Sequence, residues 1–287
     1  MTKAAGVVGL GIMGSAMSAN LARAGFKTYG YDPVPAQRKA LARAGGVACR
    51  SAAEVLRRAP IVITSLPSAS ALQEVCSDAS GRAIVIETST LALDDKLFAK
   101  KILQKKGITL LDCPLSGTGA QAKNRDLSVY ASGDKAAYRK CVAVFEGFAH
   151  SHYYLGDFGN GSRMKYVANL LVAIHNVAAA EAFVLGMKAG LAPEMILKVI
   201  ADGAGGSRMF QVRGPSMVAG KYPAQIRIDV WQKDMKIIGD FAAKLGVAAP
   251  LFSATAPVYN AAISQGLGEQ DTGAVCAVLE RLSGVKR

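Results

Sequence analysis

A short apolar run, AAGVVGL, leads into GLGIMG, and the next apolar run closes on one acid, Asp32. No other part of the chain constrains the fold as strongly. Residues 4–10 read as a buried parallel strand, 13–24 as a helix and 28–31 as a second strand. Gly9, Gly11 and Gly14 therefore stand where a strand turns tightly into a helix. Gly9 permits the turn, Gly11 lets a pyrophosphate approach the backbone, and Gly14 lets helix and strand pack closely. The free N–H groups at the helix start then face the phosphate charge, and Leu10, Ile12 and Met13 join the glycines as cofactor-binding candidates. The glycine spacing alone specifies little. With a strand before it, a helix after it and an acid 18 residues beyond Gly14, it reads as a dinucleotide site. A carboxylate at the tip of the second strand can accept hydrogen bonds from both hydroxyls of an adenosine ribose, and it repels the 2′-phosphate of NADP. The nearest arginine is Arg38, with Pro33 and Pro35 between, so the expected cofactor is NAD.

A chain of 287 residues has room for two cores, and 51% hydrophobic against 19% charged residues excludes disorder over most of its length. The net charge of +13 suits anionic ligands. The basic residues are dispersed, and the densest group, Lys96, Lys100, Lys101, Lys105 and Lys106, has the spacing of a solvated helix face. No nucleic-acid partner is expected. Five cysteines, odd in number and far apart, show no metal-ligand pair and fit a reducing compartment. His150 and His152 lack an acid or cysteine at ligand spacing, so no metal is expected. The sequence runs straight into its first strand without a basic leader and apolar signal segment. The apolar stretch 167–185 is interrupted by Asn169, His175, Asn176 and Glu181, which makes it a buried helix, not a membrane span. The expected location is the cytoplasm.

Short apolar runs alternate with helical patterns through the first half, at 61–66, 83–87, 108–112 and 127–131, with a helix over 93–106. Such alternation implies right-handed crossovers and a mostly parallel sheet with helices on both faces, a Rossmann-type α/β domain. Ligands of such sheets lie beyond the carboxyl ends of the strands, which gathers Asp32, Leu66, Pro67, Thr90 and Ser116 around one crevice. The pattern changes near Gly159. From there the periodicity is helical: 162–187, 191–201, 229–245, 257–265 and 272–282. The expected division is an NAD-binding domain at 1–160 and an all-α domain at 161–287, joined through the long central helix. The apolar circumference of that helix suits a subunit interface, hence a homodimer or homotetramer.

Lys165 is the strongest candidate for chemistry. It follows GNGSRM at the start of the central helix, where a lysine is electrostatically awkward and its pKa is pulled down toward proton transfer. Asn169 lies one turn later on the same face and can fix the amine or hold a substrate oxygen. Ser116, Gly117 and Thr118, in the loop opened by DCPL, offer small hydroxyls and N–H groups that suit a carboxylate. An ordinary glycine turn is the equal alternative on these residues alone. Lys233 and Asp234 read as a surface ion pair, and His175 with Asn176 as a satisfied core pair.

Four stretches in order, VGLGIMGSAMSANLARAG, DCPLSGTGAQAKNRDLSVYASGD, GNGSRMKYVANLL and VWQKDMKI, give the chain a resemblance to the β-hydroxyacid dehydrogenase family over residues 5–282. The resemblance implies a metal-free oxidoreductase that exchanges a hydride between NAD and a small hydroxy acid. It makes Lys165 the catalytic lysine, Asn169 substrate-binding, and Ser116, Gly117 and Thr118 the carboxylate loop. It assigns Gly9 to Gly14, Asp32, Leu66, Pro67, Thr90 and Lys233 to the cofactor. Thr118 replaces the usual second glycine of that loop, and Leu170 stands where relatives often carry asparagine. The stretches SRMFQVRGPSMVAGKY and ATAPVYNAAISQG are most similar to the L-threonate dehydrogenase branch, which oxidises a four-carbon sugar acid at C2; there Arg208 would help hold the acid. 3-Hydroxyisobutyrate and glycerate or tartronate semialdehyde are the alternative substrates, and a silent dinucleotide-binding module is the alternative class.

Overall fold

The computed structural model describes residues 3–286. It holds two compact units that divide between Lys165 and Tyr166. In the first, β1 (Ala4–Val8), β2 (Lys27–Tyr31), β3 (Val47–Ala48), β4 (Ile61–Thr64), β5 (Ile84–Glu87) and β6 (Thr109–Asp112) form one sheet with every pairing parallel. The connections run through α1 (Ile12–Arg23), α2 (Pro35–Arg43), α3 (Ala52–Arg58), α4 (Ala69–Asp78) and α5 (Leu93–Lys105). The strand order β3-β2-β1-β4-β5-β6 changes direction between β1 and β4, and the loops after those two strands flank the switch point. The chain then passes through β7 (Leu115–Ser116), α6 (Gly119–Lys123), β8 (Ser128–Ala131), α7 (Lys135–Phe148) and β9 (Ser151–Tyr154). These three strands make a second sheet, antiparallel at β7–β8 and parallel at β8–β9.

β1, β4 and β5 are nearly continuous apolar runs because both faces of the large sheet are covered there, whereas β2, KTYGY, alternates. One core gathers Val7, Leu10, Met17, Leu21, Ile63, Ile86 and Phe145; the other gathers Val55, Val62, Leu72, Val85 and Leu103. The short strands β3 and β7, of two residues each, leave too little pattern to be read from sequence. His152 on β9 lies against the Tyr138 and Phe145 rings, with its Nδ1 2.7 Å from the Tyr138 hydroxyl.

The second unit is entirely helical beyond the shared α8 (Asn160–Lys188): α9 (Pro193–Asp202), α10 (Arg208–Ala219), α11 (Ile228–Lys244), α12 (Pro250–Ser264), a 3-10 turn at 272–274 and α13 (Val275–Leu282). Two elements depart from the periodicity. Gly214 and Pro215 disguise α10, yet a Cβ at Gly214 would lie 2.4 Å from Leu197 Cδ1, so close packing of α9 on that face overrides the weak local propensity. Pro257 falls inside α12, which starts with Pro250 in its first turn instead of beginning at 257. Asn176 donates to the Tyr259 hydroxyl at 3.3 Å and to Thr272 Oγ1 at 3.2 Å, which makes it a core polar group. Beneath these helices Arg213 Nε meets Asp271 Oδ1 at 3.0 Å, both side chains almost wholly buried.

All five cysteines are buried and none is in a disulfide. Burial pushes the Cys76 and Cys141 thiols up to about 12, and it raises Cys49 and Cys113 as well. The thiolate is the reactive form, so the native protein should give no reaction with Ellman's reagent and five thiols in denaturant. A thiol that titrates at once in the native protein would contradict this placement.

Candidate active site

The glycine turn is built as its sequence demands. Gly9 has φ +87°, and a Cβ there would lie 2.1 Å from the Ser65 carbonyl oxygen. At Gly14 a Cβ would lie 1.8 Å from the Gly9 oxygen, so β1 and α1 pack at a distance only glycine allows. At Gly11 an added Cβ would meet nothing within 4 Å. Gly11 is also the N-cap of α1, and no side chain caps that helix. The leading N–H groups of Ile12, Met13 and Gly14 therefore lack intrahelical acceptors beside open space. That arrangement fits the diphosphate of a dinucleotide.

Asp32 follows β2 and is buried. Its Oδ2 accepts from the Leu10 N–H at 2.7 Å and its Oδ1 from the Val34 N–H at 2.9 Å, which ties the acid to the glycine turn. Each oxygen keeps a second lone pair that a ribose hydroxyl can use. Arg38 does not stay beyond its two prolines. It folds back so that its guanidinium lies 5.7 Å from the Tyr31 ring centre and donates to the main-chain oxygens of Asp32 and Pro33. Leu66 and Pro67 follow β4, and Thr90 follows β5. The Leu66 N–H donates to Ser89 Oγ at 2.8 Å, and the Ser89 N–H to Glu87 Oε1 at 3.0 Å, so these two loops are braced together.

Ser116 ends β7, and Gly117 turns the chain with φ +133°. Thr118 is the N-cap of α6 in a capping box: its Oγ1 accepts from the Gln121 N–H, and its own N–H donates to Gln121 Oε1 at 3.0 Å. Thr118 thus caps the start of α6. Just beyond it, a Cβ on Gly119 would fall 2.5 Å from Ile12 Cγ2, so this loop packs on the glycine turn. The Asn20 amide donates to the Ala122 oxygen at 2.7 Å and holds α1 against α6.

Lys165 is half-buried in the second turn of α8, and Asn169, one turn later, is buried. In the second unit the Asn169 amide nitrogen donates to Asp234 Oδ2 at 2.9 Å, and Lys233 Nζ lies 3.7 Å from Asp234 Oδ1. Asp234 is therefore no simple surface ion pair. It joins Asn169 to Lys233. The sequence signal was the adjacency of Lys233 and Asp234 on α11; its partner 65 residues away carried none. Arg208 is the exposed first residue of α10, and its guanidinium makes no hydrogen bond or ion pair with the described residues.

The basic group on α5 also needs correction. Lys96 is not on a solvated face: it is fully buried with Ala99 and Leu103, the same helical stripe, because two carboxylates meet it inside. Lys106 caps the end of α4, donating to the oxygens of Cys76 at 3.0 Å and Ala79 at 3.1 Å.

A family described as the NAD binding domain of 6-phosphogluconate dehydrogenase matches residues 4–156. A second, described as the NAD-binding domain of NADP-dependent 3-hydroxyisobutyrate dehydrogenase, matches residues 159–279. The chain belongs to the 3-hydroxyisobutyrate dehydrogenase family. Among relatives in this family, it is 33% identical to L-threonate dehydrogenase of Cupriavidus necator, over 97% of this chain and 96% of that one. It is 31% identical to glyoxylate/succinic semialdehyde reductase 1 of Arabidopsis thaliana, over 94% and 96%. Among solved structures, 3-hydroxyisobutyrate dehydrogenase of Mycobacterium tuberculosis, determined with L-serine, superposes with a TM-score of 0.88 at 29% identity, covering 97% of this chain and 99% of that one. The family architecture, a parallel nucleotide-binding sheet followed by a helical domain through one long helix, is the one found here. The chain is an oxidoreductase of this family.

Proposed function

We propose that this protein is an NAD-dependent dehydrogenase of a small hydroxy acid and that its substrate is a four-carbon sugar acid such as L-threonate, oxidised at C2. The observation that carries the reading is the pairing of Lys165 and Asn169 on one face of α8, with the Asn169 amide nitrogen held by Asp234. The sugar-acid assignment is supported by the similarity to L-threonate dehydrogenases over 97% of the chain.

In this reading Gly9, Leu10, Gly11, Ile12, Met13 and Gly14 form the turn against the diphosphate, with the Ile12, Met13 and Gly14 N–H groups facing it and the Leu10 N–H held by Asp32. Asp32 takes the adenosine ribose, and Leu66, Pro67, Thr90 and Lys233 the remainder of the cofactor. Bound NAD supplies the hydride acceptor. Ser116, Gly117 and Thr118 bind the substrate carboxylate, and Arg208 adds a cation for a polyhydroxylated acid. Asn169 accepts from the substrate hydroxyl through its carbonyl oxygen, the nitrogen being engaged by Asp234. Lys165, as the free amine, takes the hydroxyl proton as the carbinol carbon is oxidised; in reduction the ammonium returns it. The apolar surface of α8, including Val167, Leu171 and Leu185, is assigned to a homodimer or homotetramer, and the location to the cytoplasm.

The test is the rate of NADH formation or loss with L-threonate, D-threonate, 3-hydroxyisobutyrate, glycerate and tartronate semialdehyde. L-Threonate should give the highest kcat/KM. Tight NAD binding with no turnover across the panel would favour a silent dinucleotide-binding module. Cofactor choice is checked separately. Asp32 crowds and repels a 2′-phosphate, so initial rates should favour NAD over NADP, and Asp32→Asn should narrow that preference. A wild-type preference for NADP would show that Arg38 governs this corner.

A further inference from the structure

Glu87 and Asp112 end the neighbouring strands β5 and β6 and are paired in register. Neither is exposed. Between them α5 delivers Lys96, whose ammonium lies 2.7 Å from Glu87 Oε2 and 2.9 Å from Asp112 Oδ1. Burial works against the charge on Lys96, but the Asp112 and Glu87 carboxylates outweigh it and hold the lysine above its ordinary value. A buried ion cluster is poor evidence for stability, because apolar replacements often serve as well. Its outward bonds are more informative.

Asp112 reaches the start of α8. Its Oδ2 accepts from the Ser162 N–H at 2.7 Å and its Oδ1 from the Ser162 hydroxyl at 2.8 Å. Ser132 Oγ accepts from the N–H groups of Gly159 at 3.2 Å and Gly161 at 2.9 Å. The first turn of α8 is thus capped by side chains from β6 and the end of β8. A Cβ at Gly161 would fall 2.3 Å from the Tyr130 oxygen, so the turn is pressed directly onto that backbone. Lys165 is the i+3 neighbour of Ser162. On the far side, Glu87 Oε1 holds the Ser89 N–H, and Ser89 Oγ holds the Leu66 N–H. One unbroken series of polar contacts runs from Leu66 through Ser89, Glu87, Lys96 and Asp112 to Ser162.

We infer that Glu87, Lys96, Asp112 and Ser162 form a positioning strut that fixes the first turn of α8, and with it Lys165, against the loop that carries Leu66. The inference rests on Lys165 being the proton-transfer group. The four residues act through that lysine and are positioning residues. A reacting group displaced by an ångström loses on the order of a hundredfold in rate, so a strut of this kind acts on kcat.

Ser162→Ala deletes one bond of the strut and keeps the N–H contact to Asp112, so it leaves the fold intact; Lys96→Met removes the centre. Leu103→Ala, on the same buried stripe of α5, is the control for destabilisation alone. In the full-length protein, Ser162→Ala should lower kcat about tenfold and Lys96→Met further, with the substrate KM and the NAD dissociation constant within about twofold of wild type. Amide hydrogen exchange over residues 163–165, measured without ligands, should quicken about tenfold in both. Leu103→Ala should lower Tm yet leave kcat and that exchange unchanged. Unaltered kcat and exchange in Ser162→Ala, or an equal kcat loss in Leu103→Ala, overturns the strut. If Lys165→Ala is inactive and Ser162→Ala is normal, only the strut fails. If Lys165→Ala stays active, the proton-transfer reading fails, and the exchange measurement still decides whether the strut fixes α8.

Discussion

Lys165→Ala is expected to lower kcat by about 10²- to 10⁴-fold, the usual contribution of a positioned acid or base, with NAD binding near that of the wild type. The binding constant should hold because the side chains assigned to NAD are set by β1, β2, β4 and β5, and by α11 for Lys233. Asn169→Ala should act on substrate use more than on cofactor affinity, and it also leaves Asp234 without one of its donors. Retention of more than about a third of kcat by Lys165→Ala, with chemistry rate-limiting, would exclude the lysine from proton transfer. A primary isotope effect with substrate deuterated at the oxidised carbon establishes that condition. The amide circular dichroism of the variant should match the wild type, since Lys165 is only half-buried.

The largest effect on stability is expected in the second unit, at Asp271. Its Oδ1 faces Arg213 Nε at 3.0 Å and accepts from the Gly273 N–H; its Oδ2 accepts from the Gln225 and Ile226 N–H groups at 3.1 and 3.0 Å. Asp271→Ala strands a buried guanidinium and three main-chain donors. The loss should be about 3–5 kcal/mol, the range for breaking a buried pair from one side. Arg213→Met should cost far less, on the order of 1 kcal/mol, because the carboxylate keeps its three N–H donors while a long apolar chain fills the space. Burial already works against the charge on Arg213, and its Nη1 and Nη2 lack hydrogen-bond partners among the described residues. Urea unfolding of the two variants measures both values. Equal losses would mean that Arg213 contributes as much as the loop donors do.

The glycine turn was legible because steric exclusion at two positions leaves few alternatives: Gly9 and Gly14 have backbone oxygen where a Cβ would be. The parallel sheet was legible because β1, β4 and β5 are apolar without alternation. Lys96 was not, since its partners are strand ends brought to it by the fold, one of them 16 residues further along the chain. Its place on the stripe with Ala99 and Leu103 was the available signal, and charge alone obscured it. The pairing of Asp234 with Lys233 is visible because the two are adjacent in sequence, and its bond to Asn169 across two helices is not. The α10 helix was hidden by Gly214 and Pro215, residues that mark a break only when no neighbouring helix packs close enough to require them.

The first unit finishes its two principal helix starts in opposite ways. The leading N–H groups of α8 are taken by Asp112 and Ser132, whereas α1 begins at Gly11 with no side chain on its own. Inorganic phosphate or sulfate therefore has α1 to occupy and finds α8 already filled. Buffer composition becomes a kinetic variable. On the diphosphate placement proposed above, phosphate competes with the cofactor at α1 and should raise its apparent KM, whereas an amine buffer should not.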